Sequence, residues 1–114
     1  MHRSTDDDLA DMWEATLNRS LTHEEHVRVA RILVLRHGRV SARERLVVGT
    51  LRNCIGMGVP DRFDKDLTER WADLIADCVE SSEADSFPAF ASEHPELLRS
   101  DLLGPPAWKQ SASS

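Results

Sequence analysis

The stretch "LTHEEHVRVARILVLRHGR", residues 21–39, decides how this chain is read. Thr22 and Glu25 stand three apart, the spacing of a capping box in which a hydroxyl and a carboxylate satisfy backbone donors left free at a helix start. Gly38 predicts the end, because glycine takes the left-handed conformation that closes helices. Between them, at about 100° per residue, His23, His26, Val27, Ala30, Leu33, Val34 and His37 fall on one stripe. Glu24, Arg28, Arg31 and Leu35 fall on the opposite side. Three of the five histidines in the chain therefore lie on the side that seeks the core. An imidazole among aliphatic neighbours needs a hydrogen-bonding partner, so these positions call for an explanation.

Similar signals recur on both sides of this stretch. Upstream, Thr5 caps a predicted helix over 5–18. Asp6, Asp7 and Asp8 suit its positive end, and Leu9, Met12, Trp13, Thr16 and Leu17 recur at helical spacing. Downstream, Ser41 and Glu44 predict a second capping box, and Leu46, Val47, Leu51, Cys54 and Ile55 supply the apolar residues of a third helix. "GMGVPDRF" breaks it, since Pro60 constrains its predecessor and the glycines weaken any helix. A fourth helix opens near Asp66 with Leu67, Trp71, Leu74, Ile75 and Cys78 as its stripe. "FPAFASEHPELLRSDLLG" predicts one or two short helices interrupted at Pro88 and Pro95, and "PPAWKQSASS" a loose tail. No alternation persists long enough for a sheet. The expectation is an all-α fold: a small bundle of four main helices plus one or two short C-terminal ones, in one domain over 1–104 with a tail over 105–114.

Composition narrows the function classes. The chain has 114 residues, 30% charged and 40% hydrophobic, as in a soluble globular domain. Its formal charge of -6 argues against nucleic acid, which selects a basic footprint. Arg28, Arg31, Arg36, Arg39, Arg43, Arg45 and Arg52 crowd the middle, a pattern that fits a solvated face of ion pairs. Cys54 and Cys78 read as buried free thiols, with no CxxC spacing to suggest a zinc ribbon or redox pair. No signal-peptide pattern and no run approaching ~18 apolar residues is present, so the expectation is a cytoplasmic protein with no membrane partner.

His37, at a helix end, reads as structural, since a cationic ring there favours the C-terminal carbonyls. His23 and His26 lie one turn apart, and i, i+3 spacing lets two imidazoles converge on one atom. Asp64, just before the fourth helix, is the best third group. Together they suit Zn, Fe(II) or Mn with open positions, and without a metal they suit acid–base chemistry. Asp64 and Asp66 also read as helix caps. Trp71 reads as core or as a substrate contact. Arg28 would neutralise an anionic substrate.

"HEEHVRVAR" and "RFDKDLTERW" resemble paired motifs of an uncharacterised family of small helical bacterial proteins. That family carries "FHHADHVRLAW" and, some 35 residues later, "KYHETIT" followed by an aromatic residue. His23, His26, Val27, Arg28 and Ala30 match the first motif. In the second, Arg62 matches as basic, Phe63 as aromatic, and Leu67, Thr68 and Trp71 also match. The resemblance spans roughly residues 21–103, including "HPELLRSDLL". It departs at Leu21–Thr22, where the family has "FH", at Asp64, where it has histidine, and at Asp66, where it has threonine. The resemblance implies no reaction, but it marks positions that coincide with the wheel. Thr68 thereby joins His23, His26 and Asp64 as a candidate site residue, and Phe63 joins Arg28 and Trp71 as a candidate substrate contact.

Two functional expectations follow. In the first, a polar pocket of His23, His26, Asp64 and Thr68 binds or acts on a small molecule, with or without a divalent metal, conceivably in a bacterial biosynthetic pathway. In the second, the histidines are structural and the arginine-rich flank of the middle helices makes the chain an adaptor or regulatory module. A homodimer is compatible with both.

Overall fold

A computed structural model describes residues 5–15 and 21–104. In chain order these form α1 (Thr5–Ala15), α2 (His23–Gly56), a 3-10 turn (Pro60–Arg62), α3 (Lys65–Glu80), α4 (Phe87–Glu93) and a second 3-10 turn (Pro95–Leu98). The all-α class is as expected. The tail expected over 105–114 lies outside the described residues, as does the stretch 16–18 of the first predicted helix.

The helix starts follow side-chain capping. Thr22 accepts from the Glu25 amide at 3.1 Å, and the Glu25 carboxylate accepts from the Thr22 amide at 3.0 Å, which completes the box. Asp64 caps α3 by accepting from the Leu67 amide at 3.0 Å, so α3 opens at Lys65, slightly ahead of the Asp66 expectation. Ser86 caps α4 by accepting from Ala89 at 3.3 Å.

The middle of the chain differs from the reading. The two helices predicted on either side of Gly38 are one element with a kink. Gly38 has φ 81 and ψ 169, a region that only glycine enters readily and not the left-handed cap expected. Helical residues resume directly after it. Ser41 therefore sits inside the helix and not at its start, and its hydroxyl accepts from Arg45 Nε at 3.2 Å. A single residue redirects the chain, so no second cap is needed.

The two limbs of α2 are buried very differently. On the first, Val27 and then Val29 through Val34 are buried without interruption, Arg31 included. Helices that bury all faces are enclosed by other elements. α1 and α3 both pack on α2, and the segment after α3 covers the side where Arg31 lies. Arg31 donates to the Ala84 carbonyl at 3.4 Å and its guanidinium lies 5.6 Å from the Phe90 ring centre. The outward placement of Arg31 is thus corrected: the wheel had no means of showing that residues 84–90 close over that side.

On the second limb only Ala42, Leu46, Gly49 and Asn53 are buried, one per turn. Gly49 lets Trp13 lie against the helix backbone. A Cβ there would stand 2.6 Å from the Trp13 indole nitrogen. The predicted stripe of this limb is accordingly rotated: Leu51 and Ile55 are exposed, and so is Val48. In α1 the buried positions are Asp6, Ala10 and Trp13, while Met12 faces out.

Most of the crowded arginines are held by carboxylates of the same chain. Arg36 reaches Asp7 and Asp11, Arg39 reaches Asp77 and Glu80, and Arg43 reaches Asp73. Each exposed pair is worth only about 0–1 kcal/mol, and the pairs run from α2 to both α1 and α3. Among the described residues no helix is long and apolar enough to cross a membrane.

Candidate functional site

A cavity of about 220 Å³ lies between α2 and the start of α3. The α2 wall comes from His23, His26, Val27 and Ala30 of the first limb and from Leu46 and Thr50 of the second. The opposite wall is the stripe of α3: Asp64, Thr68, Trp71, Ala72 and Ile75, with Leu67 beside them and Arg62 from the preceding turn. Asp64 caps the helix, and Thr68, Trp71, Ala72 and Ile75 fall on one helical face one turn apart along it. The kink at Gly38 lets both limbs contribute.

Each imidazole has a distinct setting. His23 Nε2 lies 2.7 Å from the Leu97 carbonyl oxygen. A carbonyl only accepts, so Nε2 carries the hydrogen, and in the neutral ring Nδ1 holds the lone pair. The ring meets Trp71 edge-on, with centres 4.8 Å apart. His26 meets Trp13 edge-on at 5.9 Å. Burial pushes the His26 pKa below its ordinary value, and repulsion from His23 adds to that, against smaller opposing effects from the Thr22 backbone and Glu25. His26 is thus held neutral. His37 is not at the cavity: its Nε2 lies 2.9 Å from the Glu14 carboxylate of α1, a tie between helices.

Asp64 and Thr68 are at the cavity with prior commitments. One Asp64 carboxylate oxygen caps α3, and the Thr68 hydroxyl donates to the Asp64 carbonyl at 2.8 Å. Among the described residues the ligand-type atoms that lie within 4.8 Å of one another belong to Cys78, His94 and Glu96, not to His23, His26 and Asp64. The cavity thus gathers the three expected groups without bringing them together as a metal set. His23 is turned to Leu97 and Asp64 to its own helix, which is the physical reason.

Two expected substrate contacts stand elsewhere. Arg28 is bound to Asp6 at 2.7 Å and Glu24 at 2.8 Å, with its guanidinium 4.1 Å from the Phe87 ring centre. It follows His26 by two residues, roughly 200° round the helix, so it leaves the cavity face. Phe63 ends the 3-10 turn, its amide bonded to the Pro60 carbonyl, and lies outside the cavity lining. Arg62, its neighbour, lines the cavity instead, and Thr50 was not anticipated. Thr50 lies four residues from Leu46, a helical repeat that was legible. The turn of Arg62 into the cavity required the 3-10 geometry. Cys78, His94 and Glu96 were also missed as a group, since nothing in their spacing along the chain brings α3 and the 94–96 region together.

Comparison of the chain with protein-family models, with curated proteins and with solved structures returns no match.

Proposed function

We propose that this chain binds a small, largely apolar molecule in the α2–α3 cavity, with His23 and His26 addressing its polar group. The observation that carries this is the composition of one concave lining. Aliphatic side chains and Trp71 form most of the wall, and two imidazoles, Asp64, Thr68 and Arg62 supply a few polar groups. Ligand sites are built in that proportion. The volume, about 220 Å³, exceeds the ~150 Å³ that accepts benzene in an apolar core. A substituted ring or a short branched acid fits that size. The neutral His26 and the lone pair of His23 Nδ1 accept hydrogen bonds or a proton, whereas Arg62 favours an anionic group at the rim. The family resemblance directs attention to the same positions.

The test is ligand-observed NMR with ring-sized carboxylic acids, phenols and amides on the full chain. Binding is expected, and Thr50→Phe, which fills the cavity from its half-exposed side, should weaken it at least about tenfold. Binding that survives Thr50→Phe undiminished, or a panel with no binder, contradicts the proposal.

A second reading, in the protein-interaction class, draws on the outer face of α2. Val40, Val48, Leu51 and Ile55 share one side of the second limb, and three of them are 58–60% exposed. With most of the arginines already paired within the chain, this apolar side is the better candidate surface. A second copy is its proposed occupant: a two-fold antiparallel contact sets Val40 against Ile55 and Val48 near the axis, so the stripe is self-complementary. Sedimentation of the wild type against Val48→Glu tests it; a monomer at all concentrations contradicts it.

A further inference from the structure

The far end of α3 carries a thiol, and the junction of α4 with the last 3-10 turn carries an imidazole and a carboxylate. Cys78, His94 and Glu96 each bring a ligand-type atom within 4.8 Å of the other two. None of them lines the α2–α3 cavity. Cys78 is buried, His94 is half-buried and Glu96 is exposed. The backbone fixes this arrangement: the His94 amide closes α4 on the Phe90 carbonyl at 3.0 Å, and Pro95 opens the turn that contains Glu96. His94 rests against the Phe90 ring, centres 5.2 Å apart. Its Nδ1 lies 3.5 Å from Glu96, while Nε2 faces Glu93 at 4.0 Å.

The donor set has a definite chemical preference. A thiolate, an imidazole and a carboxylate are ligands of zinc and its neighbours, and three protein ligands leave a fourth tetrahedral position for water.

We propose that Cys78, His94 and Glu96 bind Zn²⁺ or another thiophilic divalent cation, with water in the fourth position. On binding, the Cys78 S–H bond breaks, its proton leaves to solvent and the sulfur–metal bond forms. Thiolate and carboxylate together neutralise the dication, and the imidazole ligates uncharged. The exposed edge at Glu96 is the entry path. The ion ties α3 to the turn that follows α4. Leu97, next in sequence to Glu96, offers its carbonyl to His23, so the site also steadies one wall of the cavity. It stands independently of the ligand proposal, since none of its three residues lines that cavity.

The experiment is a Co²⁺ titration of the full chain, purified without a histidine tag and stripped with chelator, followed by displacement with Zn²⁺. The wild type should show thiolate-to-cobalt charge transfer and the intense visible bands of four-coordinate cobalt. Cys54→Ser should keep both, and Cys78→Ser should lose the charge transfer. Glu96→Ala alters an exposed residue, so it keeps the fold and decides the matter even where Cys78→Ser does not fold. It should weaken Co²⁺ and Zn²⁺ at least about tenfold, the scale on which metal-site residues act. Because a thiol must ionise, affinity should rise with pH. No charge transfer in the wild type, its loss in Cys54→Ser, or unchanged affinity in Glu96→Ala overturns the proposal.

Discussion

The two limbs of α2 share one helix and differ in nearly everything else. Before Gly38 the helix is enclosed from Val29 to Val34, with Arg31 buried and His23 and His26 at the cavity, while Glu24 and Arg36 stay at the surface. After Gly38 it is a surface helix with one narrow seam inward and an apolar side left facing water. Local propensity is similar in both, with Val, Leu, Arg and Glu interleaved. The difference comes from what later parts of the chain cover. Histidines on the enclosed limb are held by tertiary partners, and that makes them candidates for work.

The largest expected contrast is energetic. Leu33 on the first limb is fully buried, so Leu33→Ala should destabilise by about 2–5 kcal/mol. Val48, 60% exposed on the second, should tolerate alanine within about 0.5 kcal/mol. Urea unfolding of both variants measures the gap. Equal effects would mean the limbs are not differently enclosed.

Two glycines sharpen the comparison at smaller scale. Gly49→Ala drives a methyl into Trp13, and should cost about 1–3 kcal/mol despite alanine's better helix propensity. Gly38→Ala meets open space, so its cost is only backbone strain, about 1–3 kcal/mol, or a straightened helix. Thermal melts with circular dichroism separate the cases: added helicity in Gly38→Ala would mark straightening, and an unchanged melt in Gly49→Ala would contradict the Trp13 contact.

The third effect is the pH dependence of the first limb. The folded pKa of His26 lies below its unfolded value of 6.5. Between those two values the unfolded chain binds more protons, so stability rises with pH there. The stability this residue contributes is therefore fully present above about pH 6.5 and is lost as pH falls through the folded value. His26→Gln should flatten that part of the profile, measured by denaturant midpoints. A profile identical to wild type would contradict the burial of His26.

How much of this was legible follows from the same contrast. The capping box at Thr22 and the α3 stripe are local, and spacing carries them; Gly38 was legible as a break but not as a kink within one helix, and Thr68 was pointed to by the resemblance and not by periodicity. Arg31, Met12, Leu51 and Ile55 were misplaced because a helix with apolar residues on more than one side does not declare which side the fold will cover. Arg28 was misjudged for a related reason: its neighbour Asp6 is 22 positions away, and Phe87 is 59. Cys78, His94 and Glu96 meet through the return of the chain after α3, which leaves no mark in spacing.

The most direct test is the histidine side-chain ¹H–¹⁵N spectrum of the full chain during titration with the tightest small molecule from the NMR panel. The account predicts that the ring signals of His23 and His26 move together and saturate with one affinity, while those of His37, tied to Glu14, and His94 stay in place. Movement confined to other residues, or rings at 23 and 26 that ignore every binder, would contradict the claim that the enclosed limb of α2 is the working surface.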